Sequence, residues 1–583
     1  MRAATGGDAW NGVGEIGAAG RVTMAGLRGS ASAGEDLERG RYAWRFDVPA
    51  MGDTADVYDG TTVWAQDVSG GVHPYDTPFA RERAVTSAYL ARRGYLDTKE
   101  NARAACATIH TPGGRAAIVV RVAPAGGIPA DLAIDSATHL LESVTVELPI
   151  PSDDGVMRYA DYRSVGGLVL PFSIESGTRS APADGYAFEV GRYHLLPRAR
   201  DADFAKPVVR ENLRMIGGAA STTVPMRLEG RQLLIWASID GHATMPFILD
   251  TGGHAILTTL AARSLHLQAK GAGTSGGSGA GTISTQYAHV ASVRVGDAEL
   301  LDQSFLVIPY PYSFYERGKK MPLAGILGLE FFERFATRLE YGDRTVTFTP
   351  LSRFARSGRG LPLMFEDGED LPVVEASADG HPGLFETDTG NAGTLILFGD
   401  YLARTGLLSR YTGGESVVGH GTGGSNTGRL ETLRRFRLGS HALDDVTADF
   451  TQMTSGSFAS RTEAGNFGFS ILSRFIPTFD YANQTLYLDP QHRPTPFGAN
   501  RSGLRFYKNV PGAFDVLSVA PGSAAAAAGI VAGDRIVAID GRAASNFSWA
   551  DLVGLVGKPA GTTLRLRVEH AGATRDVALV LRG

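Results

Sequence analysis

The sequence predicts a mainly β, multidomain chain, and three observations carry that prediction. Glycine is abundant, at 74 of 583 residues, while helical periodicity is scarce. Short stretches alternate apolar and polar residues, the pattern of a half-buried strand. Part of the chain is repeated: Asp250-Thr251-Gly252 recurs as Asp388-Thr389-Gly390, each after a run containing apolar residues. A chain of this length has a prior of about three or four domains.

Residues 1–205 form the first unit. Tyr42-Ala43-Trp44-Arg45-Phe46 and Val144-Thr145-Val146-Glu147-Leu148 read as half-buried strands. Asp59-Gly60 reads as a hairpin turn before Thr61-Thr62-Val63-Trp64, and Gly166-Gly167 as another before Leu168-Val169-Leu170. One helix interrupts the strands. Thr77 suits its cap, Pro78 its first position, and Phe79, Val85, Ala88 and Tyr89 its apolar face; Gly94 suits its end. No His, Cys or carboxylate cluster in this unit has ligand or catalytic spacing. A charged, Pro-containing linker, Arg198 to Pro207, comes next.

The repeat occupies 218–350 and 360–490. Its Asp residues are offset by 138 positions (250 to 388) and its later landmarks by 140 (328 to 468). Ile326-Leu327-Gly328-Leu329 answers Asn466-Phe467-Gly468-Phe469, and RFATRLEYGDRTVTFTP at 334–350 answers RFIPTFDYANQTLYLDP at 474–490. A lone Asp-Thr-Gly is an ordinary turn sequence. Two copies with matching surroundings imply two similar lobes, each presenting one carboxylate.

These residues resemble those of the retropepsin and pepsin group of aspartic proteases. The resemblance covers both lobes and implies a bilobal acid-protease β fold whose site is completed within one chain. It implies that Asp250 and Asp388 form a catalytic dyad. It further implies that Thr251 and Thr389 bond across the lobes, that Gly252 and Gly390 let each loop turn tightly, and that Gly328 and Gly468 pack beneath. Two carboxyls about 3 Å apart cannot both ionise, so they share a proton. Such a pair titrates as a unit, so the sequence assigns neither Asp a fixed role. Glycine-rich stretches beginning at Gly271 and running from Gly413 to Gly428 are expected to be flaps over the cleft. Gly253, Asn391, Thr387 and Asn466 depart from the group's usual residues.

The last unit, 498–583, lies beyond a Pro-rich joint from Asp489 to Gly498. Pro521-Gly522-Ser523, an alanine run, Gly529-Ile530 and Ala532-Gly533-Asp534-Arg535-Ile536 resemble a bacterial-type PDZ domain. Ser548 and Asp551 form a variant capping box for a helix over 549–556. The resemblance implies that a peptide C-terminus adds as a strand beside Gly503, Leu504, Arg505 and Phe506. In the first unit, DVYDGTTVWAQD and GGLVLPFSIES resemble the open β-barrel of lipoprotein-sorting carriers. An accessory domain that binds nothing small is an equal reading there.

The expected function is that of an aspartic endopeptidase using a dyad-activated water, with PDZ-assisted recognition. The alternative is a catalytically inactive, protease-like peptide-binding or scaffold protein with a ligand- or lipoprotein-binding first unit. Expected partners are a peptide or protein substrate, a C-terminal peptide ligand, and a membrane or lipoprotein. A net charge of −5 without a long basic run argues against nucleic acid. No cofactor is expected. The 13 histidines show no metal-ligand spacing, and His254 and His420 read as surface polar residues. Gly419 to Gly424 matches G-x-G-x-x-G, but the residues after it, from Ser425 to Gly439, read as turn and strand rather than helix. Cys106 stands alone, so no intrachain disulfide can form. No apolar run reaches the roughly 18 residues of a membrane span, and the first residues lack a signal-peptide core. The resemblance nonetheless implies a bacterial protein in the periplasm or otherwise outside the cytoplasm.

Overall fold

A computed structural model describes residues 1–97, 102–110, 117–150, 154–178, 185–229, 231–309, 323–356, 358–366, 371–492, 500–508 and 512–582. Most of the regular structure is strand, arranged in large sheets.

The first unit is one antiparallel sheet of 13 strands. Its first strand, Glu15–Met24, and its last, Tyr186–Leu196, pair in the interior of the sheet. The two edges, Val72–Tyr75 and Ala102–His110, come from mid-chain, so the sheet is open. Helix Pro78–Ala91 links those edges. Thr77 caps it by accepting the Ala80 N–H at 3.1 Å. Its buried face is Ala80, Ala84, Ala88 and Tyr89, while Phe79 and Val85 are only half-buried. Tyr89 packs against Val122, Ala130 and Leu132.

Two expectations here are corrected. The helix ends before Gly94, and Arg93 takes the left-handed conformation instead, at φ 58°. Gly94 serves packing: a Cβ there would lie 2.3 Å from the Tyr89 ring. The strand near residue 144 is Leu141–Val146, so Glu147 and Leu148 lie beyond it. The turn at Asp59 forms because its Oδ1 accepts the Thr61 and Thr62 N–H groups at 2.8 and 2.9 Å.

Each lobe takes the same path. Strand Met245–Leu249 leads into Asp250, and strand Ile256–Thr258 leaves the loop. Strand Gly325–Leu327 then inserts between them, parallel to the first and antiparallel to the second. In the second lobe His381–Thr387, Leu395–Leu397 and Glu463–Phe467 repeat this arrangement. A short helix comes after each inserted strand, Leu329–Phe332 or Phe469–Leu472. The repeated segments 334–350 and 474–490 are hairpins, and they meet: Phe335–Glu340 pairs with Phe475–Asp480, continuing one sheet across the lobe boundary. A single apolar core runs through both lobes, from Met226 to Leu486.

The first unit is fastened to both lobes. The Asp76 N–H donates to the Phe365 carbonyl at 3.0 Å, and the Asp76 carboxyl accepts from Phe365 N–H and Gln484 at 3.0 and 2.8 Å. The Thr77 hydroxyl, already the helix cap, donates to Glu366 at 2.6 Å. Tyr287 of the first lobe packs into the first unit's cluster around Phe46 and Phe188.

The last unit has its own sheet, edged by Leu504–Lys508 and Ala573–Val580, and its own core around Phe514, Ile536 and Leu566. Helix Trp549–Val556 carries both halves of the Ser548–Asp551 capping box. Edge strand Leu504–Lys508 lies against strand Glu415–Gly421 of the second lobe. Most of the joint before this unit lies outside the described residues.

Candidate active site

Each Asp sits at the end of a buried strand, on a loop whose backbone is tied down on both sides. Asp250 N–H donates to the Leu327 carbonyl at 2.9 Å, and Asp388 N–H to the Phe467 carbonyl at 3.0 Å. The Leu329 N–H reaches back to the Gly253 carbonyl at 2.9 Å, and Phe469 N–H to the Asn391 carbonyl at 2.8 Å. Gly328 and Gly468 lie at the point of closest approach. A Cβ on Gly328 would lie 1.8 Å from the Gly253 oxygen, and one on Gly468 2.1 Å from the Asn391 oxygen. This close approach is the constraint the structure shows at both positions.

The two loops are joined by four hydrogen bonds. Thr251 N–H donates to Thr389 Oγ1 at 2.9 Å, and Thr389 N–H to Thr251 Oγ1 at 3.0 Å. The hydroxyls donate onward, Thr251 to the Thr387 carbonyl at 2.7 Å and Thr389 to the Leu249 carbonyl at 2.9 Å. Both threonines are buried. A further cross-lobe bond, not foreseen from sequence, runs from Gln232 Nε2 to the Gly390 carbonyl at 2.8 Å.

This frame sets the carboxyls of Asp250 and Asp388 within hydrogen-bonding reach of each other. Asp250 Oδ1 accepts Gly252 N–H at 2.8 Å; Asp388 Oδ1 accepts Gly390 and Asn391 N–H at 2.8 and 2.9 Å. A Cβ on Gly390 would lie 2.1 Å from Asp250 Oδ2, so the opposite carboxyl excludes a side chain there. Gly252 has more room, with Leu371 at 3.0 Å. Burial, reinforced by the Asp388 charge, pushes Asp250 up to about 8. Burial also raises Asp388, but N–H donors from Asn466, Asn391 and Gly390 oppose it.

Asn466 is buried, and its amide donates to Asp388 Oδ2 at 2.9 Å and to Glu386 Oε2 at 2.8 Å. The only sequence signal for this was that Asn replaced an apolar residue. His254 is not a surface group: its side chain is 20% exposed and its Nδ1 lies 3.1 Å from Glu330. Glu330 also accepts the Ala255 N–H at 2.8 Å, bracing the loop after Asp250. The His420 side chain lies outside the described residues.

The glycine-rich stretches form hairpins, Lys270–Ser275 with Ile283–Val295 and Glu415–Gly421 with Gly424–Leu438. Their tips meet. Gly279 N–H donates to the Thr422 carbonyl and Gly281 N–H to the Gly423 carbonyl, both at 2.9 Å. The Gly419–Gly424 run is strand and turn with no helix after it.

In the last unit, Leu504 and Phe506 are buried and Arg505 half-buried. Gly503 has φ +67°, and a Cβ there would lie 2.2 Å from Ser523. The Leu504 N–H donates to Ser502 Oγ at 3.1 Å, so a ligand carboxylate would compete with that hydroxyl.

Among the described residues, two sets of side chains come near enough to share an ion: Asp67, His73, Glu333 and Glu15, His194, Asp203. In the first, His73 Nδ1 lies 2.7 Å from Glu333, and Arg334 3.6 Å from the same carboxyl. Burial and the Asp67 charge push Glu333 up to about 8. With Arg334 in place, those carboxyls have a cation of the protein's own beside them.

Comparison with known proteins matches two parts of the chain. The aspartyl protease family model matches residues 235–331, and the PDZ domain model residues 516–570. Among solved structures, a retropepsin-like aspartic protease from Rickettsia conorii is 19% identical, covering 22% of this chain and 90% of its own, at a TM-score of 0.16. A putative outer membrane lipoprotein-sorting protein domain from Vibrio parahaemolyticus is 10% identical, covering 33% of this chain and 89% of its own, at 0.21. A photosystem II D1 C-terminal processing protease is 32% identical over 14% of this chain and 22% of its own, at 0.13. No curated protein matches. The chain thus carries an aspartyl-protease-like domain and a PDZ domain, which support a protease-like function.

Proposed function

We propose that the chain is an aspartic endopeptidase whose active dyad is Asp250 and Asp388. The observation that carries this reading is the set of reciprocal Thr251–Thr389 bonds, which holds two carboxyls face to face from separate lobes. In that arrangement one carboxyl is ionised and takes a proton from a bound water. The other is neutral, donates a hydrogen bond to the scissile carbonyl, and then passes its proton on. Thr251, Thr389, Gly252, Gly390, Gly328 and Gly468 support the dyad by fixing the loops. The glycine hairpins act as flaps that part to admit an extended peptide and then exclude water.

The last unit serves recognition, taking a peptide C-terminus as a strand beside Gly503 to Phe506. We further propose that the protein works outside the cytoplasm, with the first unit contacting a lipoprotein or membrane surface; among the described residues no helix is long and apolar enough to cross a membrane. The deciding experiment is cleavage of a diverse peptide library by the full chain. Each product series should vanish with a hydroxyethylene transition-state mimic and in Asp250→Asn and Asp388→Asn. No cleavage across acidic to neutral pH, with a folded protein, would support a binding protein instead.

A further inference from the structure

Of the cross-strand pairs leading into the two Asp loops, one differs between the lobes in a way that reaches a carboxyl. In the first lobe Ile248 and Ile326 are partners in adjacent parallel strands, and both are buried in an apolar cluster. At the matching place in the second lobe the partners are Glu386 and Asn466, also buried. A buried polar pair in place of a buried apolar one costs stability unless it is fully hydrogen-bonded. Here it is bonded, and it reaches one carboxyl of the dyad only.

The orientation of the Asn466 amide is set by its neighbours. Asn391 Oδ1 accepts the Gly393 backbone N–H at 2.7 Å, and its Nδ2 donates to the Thr394 carbonyl at 3.1 Å. Backbone groups cannot exchange these roles, so Asn391 is fixed. Its Nδ2 also donates to Asn466 Oδ1 at 2.7 Å, which leaves Asn466 Nδ2 pointing at the two carboxyls. An amide nitrogen has two hydrogens, and Asn466 directs one to Glu386 and one to Asp388. Asp388 Oδ2 is therefore met by a donor that a protonated oxygen would not accept as well. At the matching place beside Asp250 stands Ile326, whose side chain has no donor to offer.

We propose that Asn466 is a positioning residue that keeps the ionised member of the dyad at Asp388, so that Asp250 carries the shared proton. Asp388 then activates the water, and Asp250 donates to the scissile carbonyl. Asp388 Oδ1 accepts two backbone N–H groups, while Asp250 takes Gly252 N–H and also faces Gly390 N–H, so the difference between the two carboxyls lies in the Asn466 amide. Among the described residues, the titratable groups facing Asp388 are Asp250 across the interface, Tyr341 from the turn after strand Phe335–Glu340, and Glu386 beyond the Asn466 amide. Tyr341 is held above its usual range by burial and by the Asp388 charge, so it stays neutral where the dyad titrates.

This inference rests on the endopeptidase reading, and its test separates the two. Asn466→Ile alone would leave Glu386 buried without its amide donor, so the informative variant is Glu386→Ile with Asn466→Ile, which copies the first lobe's pair. In the full chain, the acidic limb of the kcat/KM profile should move up by about one to two pH units, the worth of one hydrogen bond to a charged group. An unmoved limb in a folded, active variant, read against Glu386→Gln alone to separate the loss of that carboxyl, would overturn the assignment. A second measurement needs no turnover: titration of 13C-carboxyl aspartate signals, assigned with Asp250→Asn and Asp388→Asn. In the wild type Asp388 should lose its proton first, and the double variant should reduce that separation. If Asp250 ionised first, the proposal would be wrong even in an active enzyme. If no peptide were cut but Asp388 still ionised first, the proton placement would stand and the endopeptidase reading would fall.

Discussion

Asp250 and Asp388 are the same residue type in nearly the same loop, yet their surroundings differ, because the Asn466 amide meets Asp388 alone. Sequence reading reached both through the repeated triad, because the tripeptide is local and contiguous. It did not reach Gln232 or Glu386, whose contacts are made across strands or lobes and leave no trace in spacing. Each Asp→Asn change should lower cleavage by at least about 10²–10⁴-fold, the usual worth of a proton-transferring group. Cleavage needs one proton on the pair, and Asp250 is pushed up to about 8, so kcat/KM should fall as pH rises through that value. A profile flat well into alkaline pH would contradict this. Stability carries the same signature. A carboxyl raised from 3.8 to about 8 favours the fold while protonated, and that contribution is lost as pH climbs through the raised value. Asp250→Asn removes the buried charge. Its melting temperature should therefore gain on the wild type between about pH 4 and pH 8 and level off above, a trend thermal melts would show directly.

Elements impose a different kind of constraint, which is space. The correspondence of Gly328 and Gly468 was legible because both lobes repeat the residues around them, whereas the short helices that follow were not. The end of helix Pro78–Ala91 was misread, since Gly94 is required for contact with Tyr89 and Arg93 absorbs the left-handed turn. Half-burial also blurs a helical face made largely of alanine. At Gly328 the space argument gives a clear expectation. An alanine Cβ would lie 1.8 Å from the Gly253 oxygen, a backbone atom, so Gly328→Ala must displace the loop behind Asp250. Overpacking of this kind costs about 1–3 kcal/mol, and the displaced carboxyl should lower kcat more than it raises KM. Thr251→Val and Thr389→Val act on the other side of the loop. Each removes an acceptor from a buried backbone N–H, a loss of about 1–3 kcal/mol. Urea titration of the two variants should show similar losses, because the bonds are reciprocal. A neutral effect at either position would mean the lobes are held together mainly by their shared core.

On the scale of the whole molecule, the units differ in how independent they are. Both lobes share one apolar core and one sheet, so a second chain is not needed to complete the site. Specific activity should stay constant on dilution, and a collapse would point to an intermolecular dyad. The first unit is bonded to the second lobe through Asp76 and Thr77 and to the first through His73, contacts the sequence could not indicate. The last unit is different, because its core is separate. A chain ending near Pro490 should therefore keep its lobes folded. Yet edge strand Leu504–Lys508 lies against strand Glu415–Gly421, the outer strand of the second glycine hairpin. Removing it frees one side of that hairpin without touching either carboxyl. The truncated chain should cut short peptides with a kcat near that of the full chain and a changed KM, since a looser hairpin alters substrate admission and not proton transfer. Binding by the isolated unit over 500–582 separates recognition from this contact. A peptide with a free C-terminus should bind more tightly than its amidated form, because the carboxylate is what the loop before Leu504 is proposed to hold. Equal affinities would rule out carboxylate capture, and a truncated chain that fails to fold would show that the last unit supports the lobes structurally.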